Sequence, residues 1–377
     1  MNPKKILFLI GSLGGGGAEG VLVTLVNGLC KNKNLDITVL TLYPGGINEQ
    51  KLDKRISLKT VHLTRKYPYL NRWLQFFKIK SFAVLPSWLL HKIFIKEKYD
   101  VEIAFIEGLP TKIIAGASKA TPIYAWIHTN LLLFNYSKHA YMTLKHEQQA
   151  YRRFNKVFCV SNDVKEAFSK KFNLPGMVLY NPINQEELIA KSKEGIDSPS
   201  SDASVLKLVT VGRLAKQKGF ERLLGVVGKL RDQGYRFRLQ IIGQGPEKDN
   251  LHQLFHQLQL EQTVDFVGYK INPYPYVKQA DLFVCSSITE GFSTAVCEAI
   301  LLDVPVLTTD CTGMREIFGD VHCGIIVENS EEGLYQGLKQ LLDHPQQIIA
   351  MKQNCKLRYP FFAISHTIKV VEQELAL

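Results

Sequence analysis

The hydrophobic pattern of the chain alternates between short apolar runs and longer amphipathic stretches. Residues 6–10 form an apolar run, and residues 21–29 place Val and Leu at helical spacing. Further strands are expected at 37–42, 101–105, 122–127, 156–160, 206–211, 238–242, 264–267, 282–285, 304–308 and 324–327. Because these runs alternate with helical stretches, the pattern predicts parallel, doubly wound α/β sheets in two Rossmann-like domains.

The alternation breaks once, near the middle of the chain. Asn181-Pro182-Ile183-Asn184 interrupts it, and the polar run 191–204 has the composition of a surface loop or linker. We therefore predict an N-terminal domain over residues 1–182 and a C-terminal domain over 183–359. The pattern alone allows either domain to hold the last helix, within 360–377, and we expect it to pack on the first.

Composition is that of an ordinary soluble globular protein. The 377 residues include seven cysteines without a CxxC pair, which predicts buried thiols in a reducing compartment. Lys4 and Lys5 lead into an apolar run too short for a signal peptide or a membrane span. Residues 1–200 hold 28 Lys and Arg against 15 Asp and Glu, whereas the remainder holds 18 against 20. The excess positive charge of the first half predicts an anionic partner there.

Residues 65–98 combine this charge with aromatic side chains. Eight basic residues accompany one acid, Glu97, and two tryptophans. Such a composition is typical of helices lying on anionic lipid, but also of an insert packed on the protein with its lysines extended outward, or of a nucleic-acid surface. We favour an anionic membrane surface and expect no nucleic acid. The expected membrane contacts are Arg72, Trp73, Phe76, Phe77, Lys78 and Lys80.

A glycine-rich loop, residues 11–20, follows the first strand. Gly15-x-Gly17-x-x-Gly20 matches the dinucleotide fingerprint, but the second strand ends in Tyr43-Pro44 rather than an acid for the ribose. NAD binding is therefore disfavoured. A purely structural turn is one alternative, and a loop that lets a substrate or diphosphate approach closely is preferred.

Ligands of doubly wound sheets bind at the carboxyl ends of strands. In the first domain Glu107, His128 and Ser161 are expected at that edge. A lone histidine is commonly structural, so His128 has both a structural and a ligand-binding interpretation. His252 and His256 have the spacing of a helical metal pair, but the glutamate and third ligand of a zinc enzyme are missing.

In the second domain, cations and acids follow successive strands. Arg213 and Lys218 are suited to clamp a diphosphate, whereas Lys216 is expected to be a solvated charge. The stretch 286–299 predicts a tight turn with Glu290 and a helix with Glu298 about two turns inside. N–H groups of Gly291, Phe292 and Ser293 are expected to be unpaired there and suited to phosphate. The acids suit sugar hydroxyls, or else Glu290 only complements the helix dipole.

The ordered motifs resemble one known family. Gly-Arg-Leu…Lys-Gly, Gly-x-Gly-Pro, Phe-Val-Gly-Tyr, Glu-Gly-Phe-Ser-x5-Glu-Ala, Pro-Val and Gly-x-x-Glu occur in that order, after an N-terminal Gly-Gly-Ala-Glu. The series resembles retaining glycosyltransferases of family 4, and in particular bacterial enzymes of lipid-linked oligosaccharide, lipopolysaccharide and capsule synthesis. This resemblance implies the GT-B fold, with an acceptor-binding and a donor-binding domain facing across a deep cleft.

The resemblance also implies residue roles. Arg213 and Lys218 would bind the donor diphosphate, Glu290 would contact the transferred sugar, and His128 would lie close to it. Glu298 would bind the ribose. The remaining donor-binding positions would be Gly15, Gly16, Gly212, Gly243, Tyr269, Gly291, Phe292, Ser293 and Thr294. One departure is Asp303, where the family usually has glycine.

The expected activity is transfer of a hexose or N-acetylhexosamine from a nucleotide-diphosphate sugar, UDP-linked, to a lipid-linked glycan. No Asp-x-Asp motif is present, so Arg213 and Lys218 are expected to replace a metal ion, and no cofactor is expected. The expected location is cytoplasmic, peripheral on the inner face of the cytoplasmic membrane. A nucleotide-sugar epimerase of the same fold and a non-catalytic nucleotide-sugar-binding protein are the alternatives.

Overall fold

The computed structural model describes residues 3–63, 82–134, 136–195 and 205–375, and the chain divides into two units. Unit 1 comprises Met1–Pro182 and Ile364–Leu377, and unit 2 comprises Ile183–Ala363. Each unit is built around its own parallel sheet.

The described part of unit 1 contains a seven-stranded parallel sheet ordered β3-β2-β1-β4-β5-β6-β7. The interior strand β1 is apolar over residues 6–10, all of which are fully buried because helices cover both faces of a parallel sheet. The strands are β1 Lys4–Ile10, β2 Leu35–Thr41, β3 Ser57–Thr60, β4 Val101–Ala104, β5 Ile123–Ile127, β6 Lys156–Cys159 and β7 Met177–Val178. The helices are α1 Gly17–Leu29, α2 Ser87–Phe94, α3 Leu109–Ile114, α4 Leu144–Tyr151 and α5 Asn162–Phe172, with 3₁₀ turns at Glu49–Lys51 and Tyr136–His139.

Unit 2 repeats this architecture with six described strands in the order β10-β9-β8-β11-β12-β13. The strands are β8 Leu206–Val211, β9 Phe237–Ile242, β10 Val264–Gly268, β11 Leu282–Cys285, β12 Val306–Thr309 and β13 Gly324–Val327. The helices are α6 Gln185–Ser192, α7 Phe220–Asp232, α8 Lys248–Gln257, α9 Tyr274–Lys278, α10 Thr294–Leu301, α11 Met314–Phe318, α12 Glu331–Asp343 and α13 Gln346–Asn354, with 3₁₀ turns at Lys216–Lys218 and Cys355–Phe362. The predicted α/β class with two parallel sheets is thus confirmed.

The last helix, α14 Ile364–Glu374, returns to unit 1 and packs on α1. Asn32 Nδ2 donates to Glu372 Oε1 at 3.0 Å. Gly28 lets the two helices approach, since a Cβ there would lie 2.6 Å from Ile368 Cδ1. Helix α14 is thus grouped with unit 1.

Four expectations from the sequence concern the polar run, the cysteines, the membrane contacts and membrane-spanning segments. Helix α6 continues to Ser192, so the polar run predicted as a loop from residue 191 begins inside a helix, because Lys191 pairs with Glu187 one turn earlier. All seven cysteines are buried and unpaired, which confirms the buried thiols. The expected membrane contacts of residues 72–80 lie outside the described residues. None of the described helices combines the length and hydrophobicity needed to cross a membrane.

Candidate active site

The switch in strand order of unit 2 places two loops side by side. Strands β8 and β11 are neighbours at the centre of the sheet, so the loops that follow them, residues 212–219 and 286–293, leave the same edge. Ser286 Oγ donates to the Lys218 carbonyl at 2.9 Å, and Ile288 N donates to the Gln217 carbonyl at 2.8 Å. This edge is where doubly wound sheets bind ligands.

Lys218 and Glu290 form an ion pair between these loops. Lys218 Nζ lies 2.6 Å from Glu290 Oε1, and the two side chains are 22% and 11% exposed. Ser287 Oγ donates to the same carboxylate oxygen at 2.6 Å. Burial lowers the pKa of Lys218, but the Glu290 carboxylate together with the Cys285 and Cys311 thiols outweighs burial and holds that pKa above its ordinary value. Among the described residues none hydrogen-bonds Glu290 Oε2, which is therefore available to a ligand hydroxyl.

Glycines bring the backbones of this edge into direct contact. A Cβ on Gly243 would lie 1.9 Å from the Gly212 carbonyl oxygen, and one on Gly219 would lie 2.1 Å from the Ser286 carbonyl oxygen. Gly219 also has a φ of +62°, which favours glycine. The Lys218 stem passes Gly212, whose Cβ would be 3.7 Å from Lys218 Cδ. Gly212 and Gly243, which were predicted to bind the donor, and Gly219, which was not, therefore let the backbone pack closely around Lys218.

Arg222 on α7 supports the Glu290 loop, a role that the sequence does not reveal. Its guanidinium donates to the Ser286 carbonyl at 2.7 and 3.0 Å and to the Ser287 carbonyl at 2.8 Å. It also donates to Asn329 Oδ1 at 2.8 Å. On a helix, such a residue is indistinguishable by sequence from a solvated surface charge.

Helix α10 begins later than predicted. Ser293 is its N-cap and Thr294 its first residue, so the N–H groups of its first turn belong to Thr294 and the residues after it. Gly291 and Phe292, expected to present unpaired N–H groups at the helix start, lie in the preceding turn and are buried. Glu298 consequently lies just beyond the first turn, not two turns inside.

Glu298 has a phenol partner that the sequence did not indicate. Tyr274 OH, from α9, donates to Glu298 Oε1 at 3.3 Å. The charge of Glu298, together with burial and the charge of Glu187, raises the pKa of Tyr274 well above its ordinary value. The phenol therefore keeps its proton and orients the Glu298 carboxylate.

Two further predicted residues of unit 2 are accessible. Arg213 is exposed directly after Gly212, and no described residue forms an ion pair with it. Tyr269 is 36% exposed directly after Gly268. Both are open to a ligand at the carboxyl edge.

In unit 1, Glu107 fixes the backbone that carries His128. Glu107 Oε1 accepts from His128 N at 2.7 Å, from Thr129 N at 2.8 Å and from Thr129 Oγ1 at 2.9 Å. Burial raises the pKa of Glu107, and these hydrogen bonds oppose that shift. Glu107 is thus a positioning residue.

His128 is half-buried, and the surroundings of its imidazole disfavour the charged form. Its ring centroid lies 5.0 Å from that of Phe105. Burial lowers the pKa of His128 to about 4, although a hydrogen bond with the Phe105 backbone acts in the opposite direction. Nε2 is buried and has no hydrogen-bond partner in the described part of the chain. A buried nitrogen without a partner is costly, so this atom is a candidate to bind a ligand hydroxyl.

The glycine-rich loop of unit 1 carries a carboxylate at its helix end. A Cβ on Gly16 would lie 2.3 Å from Glu19 Oε2, and one on Gly14 would lie 3.7 Å from Glu19 Oε1. Gly15 and Gly16 are exposed. Because Glu19 occupies the first turn of α1, a phosphate at Gly15 and Gly16 would meet a like charge.

Ser161 and the histidine pair His252 and His256 have structural roles. Ser161 caps α5, since its Oγ accepts from Val164 N at 3.2 Å. His252 stacks on Phe266 with ring centroids 4.4 Å apart, and His256 Nδ1 lies 2.9 Å from Glu261 Oε1. The described residues contain no group of three or more metal-ligating side chains.

Comparison with known proteins gives matches along the chain. Residues 15–187 match the family Glycosyltransferase Family 4, and residues 192–358 match Glycosyl transferases group 1. A Campylobacter jejuni enzyme, N-acetylgalactosamine-N,N'-diacetylbacillosaminyl-diphospho-undecaprenol 4-alpha-N-acetylgalactosaminyltransferase, is 28% identical over 95% of this chain and 96% of the relative. A second C. jejuni enzyme, named GalNAc-alpha-(1->4)-GalNAc-alpha-(1->3)-diNAcBac-PP-undecaprenol alpha-1,4-N-acetyl-D-galactosaminyltransferase, is 26% identical over 96% of this chain and 95% of the relative.

Among solved structures, the chain is similar to Anabaena HepE in complex with UDP and glucose. The TM-score is 0.76, with 20% identity over 99% of both chains. This likeness confirms the predicted GT-B fold.

Proposed function

Because the chain belongs to the family 4 glycosyltransferases, we propose that it transfers N-acetylgalactosamine from UDP-GalNAc to a glycan carried on undecaprenyl diphosphate. The observation that carries this proposal is the similarity, along nearly the whole chain, to two C. jejuni enzymes whose names describe GalNAc transfer to undecaprenol-linked glycans. The activity is a retaining hexosyl transfer, as expected from the motifs.

Unit 2 supplies the groups that such a donor needs. Departure of the nucleotide diphosphate builds negative charge on the leaving group and positive charge at the anomeric carbon. Lys218, the exposed guanidinium of Arg213 and the first-turn N–H groups of α10 can stabilise that negative charge as it develops. Interactions that strengthen in the transition state raise the rate, whereas uniform binding does not.

Glu290 has two functions in this proposal. It neutralises Lys218 while the site is empty, through the 2.6 Å contact at Oε1. Its other oxygen, Oε2, accepts a hydrogen bond from a hydroxyl of the transferred sugar. When the diphosphate arrives, Lys218 lies between two anions, and Arg222 keeps the Glu290 loop in place. Glu298, oriented by Tyr274, binds the ribose hydroxyls, and Tyr269 and the glycines at 212, 243 and 291 line the donor.

We assign retention to attack from the leaving-group face. The bond between the anomeric carbon and the diphosphate oxygen breaks, and the acceptor oxygen bonds to the same carbon on the same face. The acceptor proton passes to the departing phosphate oxygen. Capture of a covalent glycosyl-enzyme would contradict this step.

Unit 1 is assigned to the acceptor and the transferred sugar. His128 is neutral at physiological pH because burial depresses its pKa, so its Nε2 can exchange a hydrogen bond with a sugar hydroxyl without adding charge. The placement of Gly15 and Gly16 near donor phosphates stays a prediction, and the nearby Glu19 carboxylate weighs against it.

The location follows from the acceptor. A lipid-linked glycan keeps the enzyme close to a membrane, and we propose peripheral attachment on the cytoplasmic face. The basic aromatic residues 72–80 stay predicted contacts of an anionic lipid surface.

The experiment is incubation of the full chain with UDP-GalNAc, with and without an undecaprenyl-diphosphate-linked glycan. The proposal predicts one added GalNAc on the lipid-linked glycan and release of UDP. A new UDP-sugar formed without acceptor would identify an epimerase instead. A Glu290→Ala variant that still restores a glycan-deficient strain would favour the non-catalytic binding protein.

A further inference from the structure

Unit 1 exposes large apolar side chains on two segments that are distant in sequence. Val84 and Trp88 are 65% and 61% exposed, and Met142 and Leu144 are 60% and 54% exposed. Single exposed apolar residues are common, but a group of them marks a contact surface. We refer to these four residues as the Lys112 surface, after the residue beneath them.

The buried lysine at 112 ties the two segments together. Its Nζ donates to the Phe82 carbonyl at 2.8 Å and to the Ala83 carbonyl at 2.7 Å. The same ammonium lies 5.5 Å from the centroid of the Tyr141 ring. Because Ala83 precedes Val84 and Tyr141 precedes Met142, one side chain that is only 5% exposed contacts the backbone beside the first exposed pair and the aromatic ring beside the second.

Packing between helices also fixes the two exposed segments relative to each other. Helix α3, which carries Lys112, packs against both α2 and α4. The end of α3 meets the start of α2 so closely that a Cβ on Gly116 would lie 2.0 Å from the Ser87 carbonyl oxygen. Trp88, the second residue of α2, is therefore fixed on a rigid element although its side chain is exposed.

The charged side chains within the two segments have one sign, while of the acids that follow them Glu97 pairs with Lys59 and Glu147 is buried. Residues 82–96 and 131–146 contain no Asp or Glu. They carry four exposed lysines, Lys92, Lys96, Lys138 and Lys145. Exposed apolar side chains flanked by lysines are typical of surfaces that rest on anionic lipid, whereas protein interfaces are depleted in lysine.

We propose that the Lys112 surface docks unit 1 on an anionic lipid bilayer. The proposal rests on the proposed function insofar as a lipid-linked acceptor brings the enzyme to a membrane. It assigns membrane contact to residues 142 and 144, beyond the basic aromatic insert that the sequence predicted.

Vesicle flotation tests the proposal with the full chain. Vesicles of phosphatidylcholine with phosphatidylglycerol are compared with vesicles of phosphatidylcholine alone. The wild type is expected to float with the anionic vesicles and to lose binding as salt is raised. Met142→Ser/Leu144→Ser is expected to lower the bound fraction at least five-fold. The matched control is Ile349→Ser/Leu357→Ser in unit 2, whose side chains are 63% and 67% exposed, and it should float as the wild type does.

A second readout reports Trp88 directly. In a Trp73→Phe background the remaining indoles are Trp88 and the buried Trp126, which is 2% exposed. Brominated phosphatidylglycerol should quench Trp88 fluorescence, and Met142→Ser/Leu144→Ser should reduce that quenching.

Each outcome decides the proposal. Absence of flotation on anionic vesicles, or equal flotation of wild type and the Met142/Leu144 variant, would overturn it. Loss of flotation with unchanged transfer to a water-soluble acceptor would support it and exclude misfolding of the variant. Normal flotation by a wild-type chain that transfers no sugar would leave this surface standing and overturn the proposed activity instead.

Discussion

Lys218 Nζ and Glu290 Oε1 lie 2.6 Å apart although 72 residues separate them in the chain. The contact exists because β8 and β11 are neighbours at the centre of the sheet of unit 2, so their loops leave the same edge. The pair is balanced in charge, and the diphosphate of a donor would add the second anion that Lys218 can hold. Glu290 Oε2 would accept a hydrogen bond from the transferred sugar.

Removing the Lys218 charge should impair catalysis more than stability. We expect Lys218→Met to lower kcat about 100-fold, the order of magnitude for loss of one group that stabilises a developing negative charge. The check is a steady-state assay of UDP release. Lys229→Met is the matched control, because Lys229 is 49% exposed and pairs with Glu332 at 3.6 Å on the surface of the same unit. Equal loss in both variants would refute a specific role for Lys218.

The Tyr274 phenol should act on donor affinity through Glu298. Tyr274→Phe removes the 3.3 Å hydrogen bond to Glu298 but keeps the ring. We expect KM for the UDP-sugar to rise about five- to ten-fold, an effect of about 1 kcal/mol, with kcat within about two-fold. Tyr276→Phe, two residues away, is the control and should leave KM unchanged. A fall in kcat without a change in KM would contradict the positioning role.

Burial of neutral His128 should appear as a pH dependence of stability. Its folded pKa of about 4 lies below the ordinary value of 6.5, so between these values the unfolded chain binds a proton that the folded chain does not. Stability should therefore fall as pH falls through this window, by up to about 1.4 kcal/mol per pH unit.

Comparison with a variant isolates this contribution. Glu107, whose pKa is raised, contributes with the opposite sign, because the folded chain keeps its proton to higher pH. Urea unfolding of wild type and His128→Gln across pH 4–6.5 separates the two, since only the histidine contribution disappears in the variant. Parallel pH profiles for both proteins would show that His128 is not buried as a neutral ring.

The backbone conformation of Asp303 explains why the family usually has glycine at this position. It has a φ of +59°, a left-handed conformation that glycine adopts without strain and that Asp tolerates better than most residues. Its carboxylate accepts from Tyr359 OH at 2.7 Å and from Lys278 Nζ at 3.2 Å. We expect Asp303→Gly to relieve the backbone yet lower the free energy of unfolding by about 1 kcal/mol, because these hydrogen bonds are lost.

Urea unfolding measures this balance. Asp303→Asn keeps an acceptor for Tyr359 and should lie between wild type and Asp303→Gly. A glycine variant more stable than the wild type would show that backbone strain outweighs the two contacts.

Most strands were predictable because both faces of each parallel sheet are covered, so their sequences are nearly continuous apolar runs such as residues 6–10. The two edge strands of unit 1, β3 and β7, were missed because they are short and only partly buried. Lys218 and Glu290 were selected as candidate site residues from the resemblance in motif order, but their ion pair was not predicted. The supporting roles of Arg222 and Tyr274 were not predicted from the sequence. Their partners, Ser286 and Glu298, are brought close only by the sheet order and by the position of α9 beside α10. The start of α10 was predicted too early, since the Ser293 cap is followed by helix only from Thr294.

Hydrogen–deuterium exchange on addition of UDP-GalNAc tests whether unit 2 holds the nucleotide sugar at the Lys218–Glu290 edge. We expect slower exchange in residues 212–219 and 286–298, and loss of that protection in Lys218→Met. Protection confined to other parts of the chain, or no protection at saturating UDP-GalNAc, would contradict it.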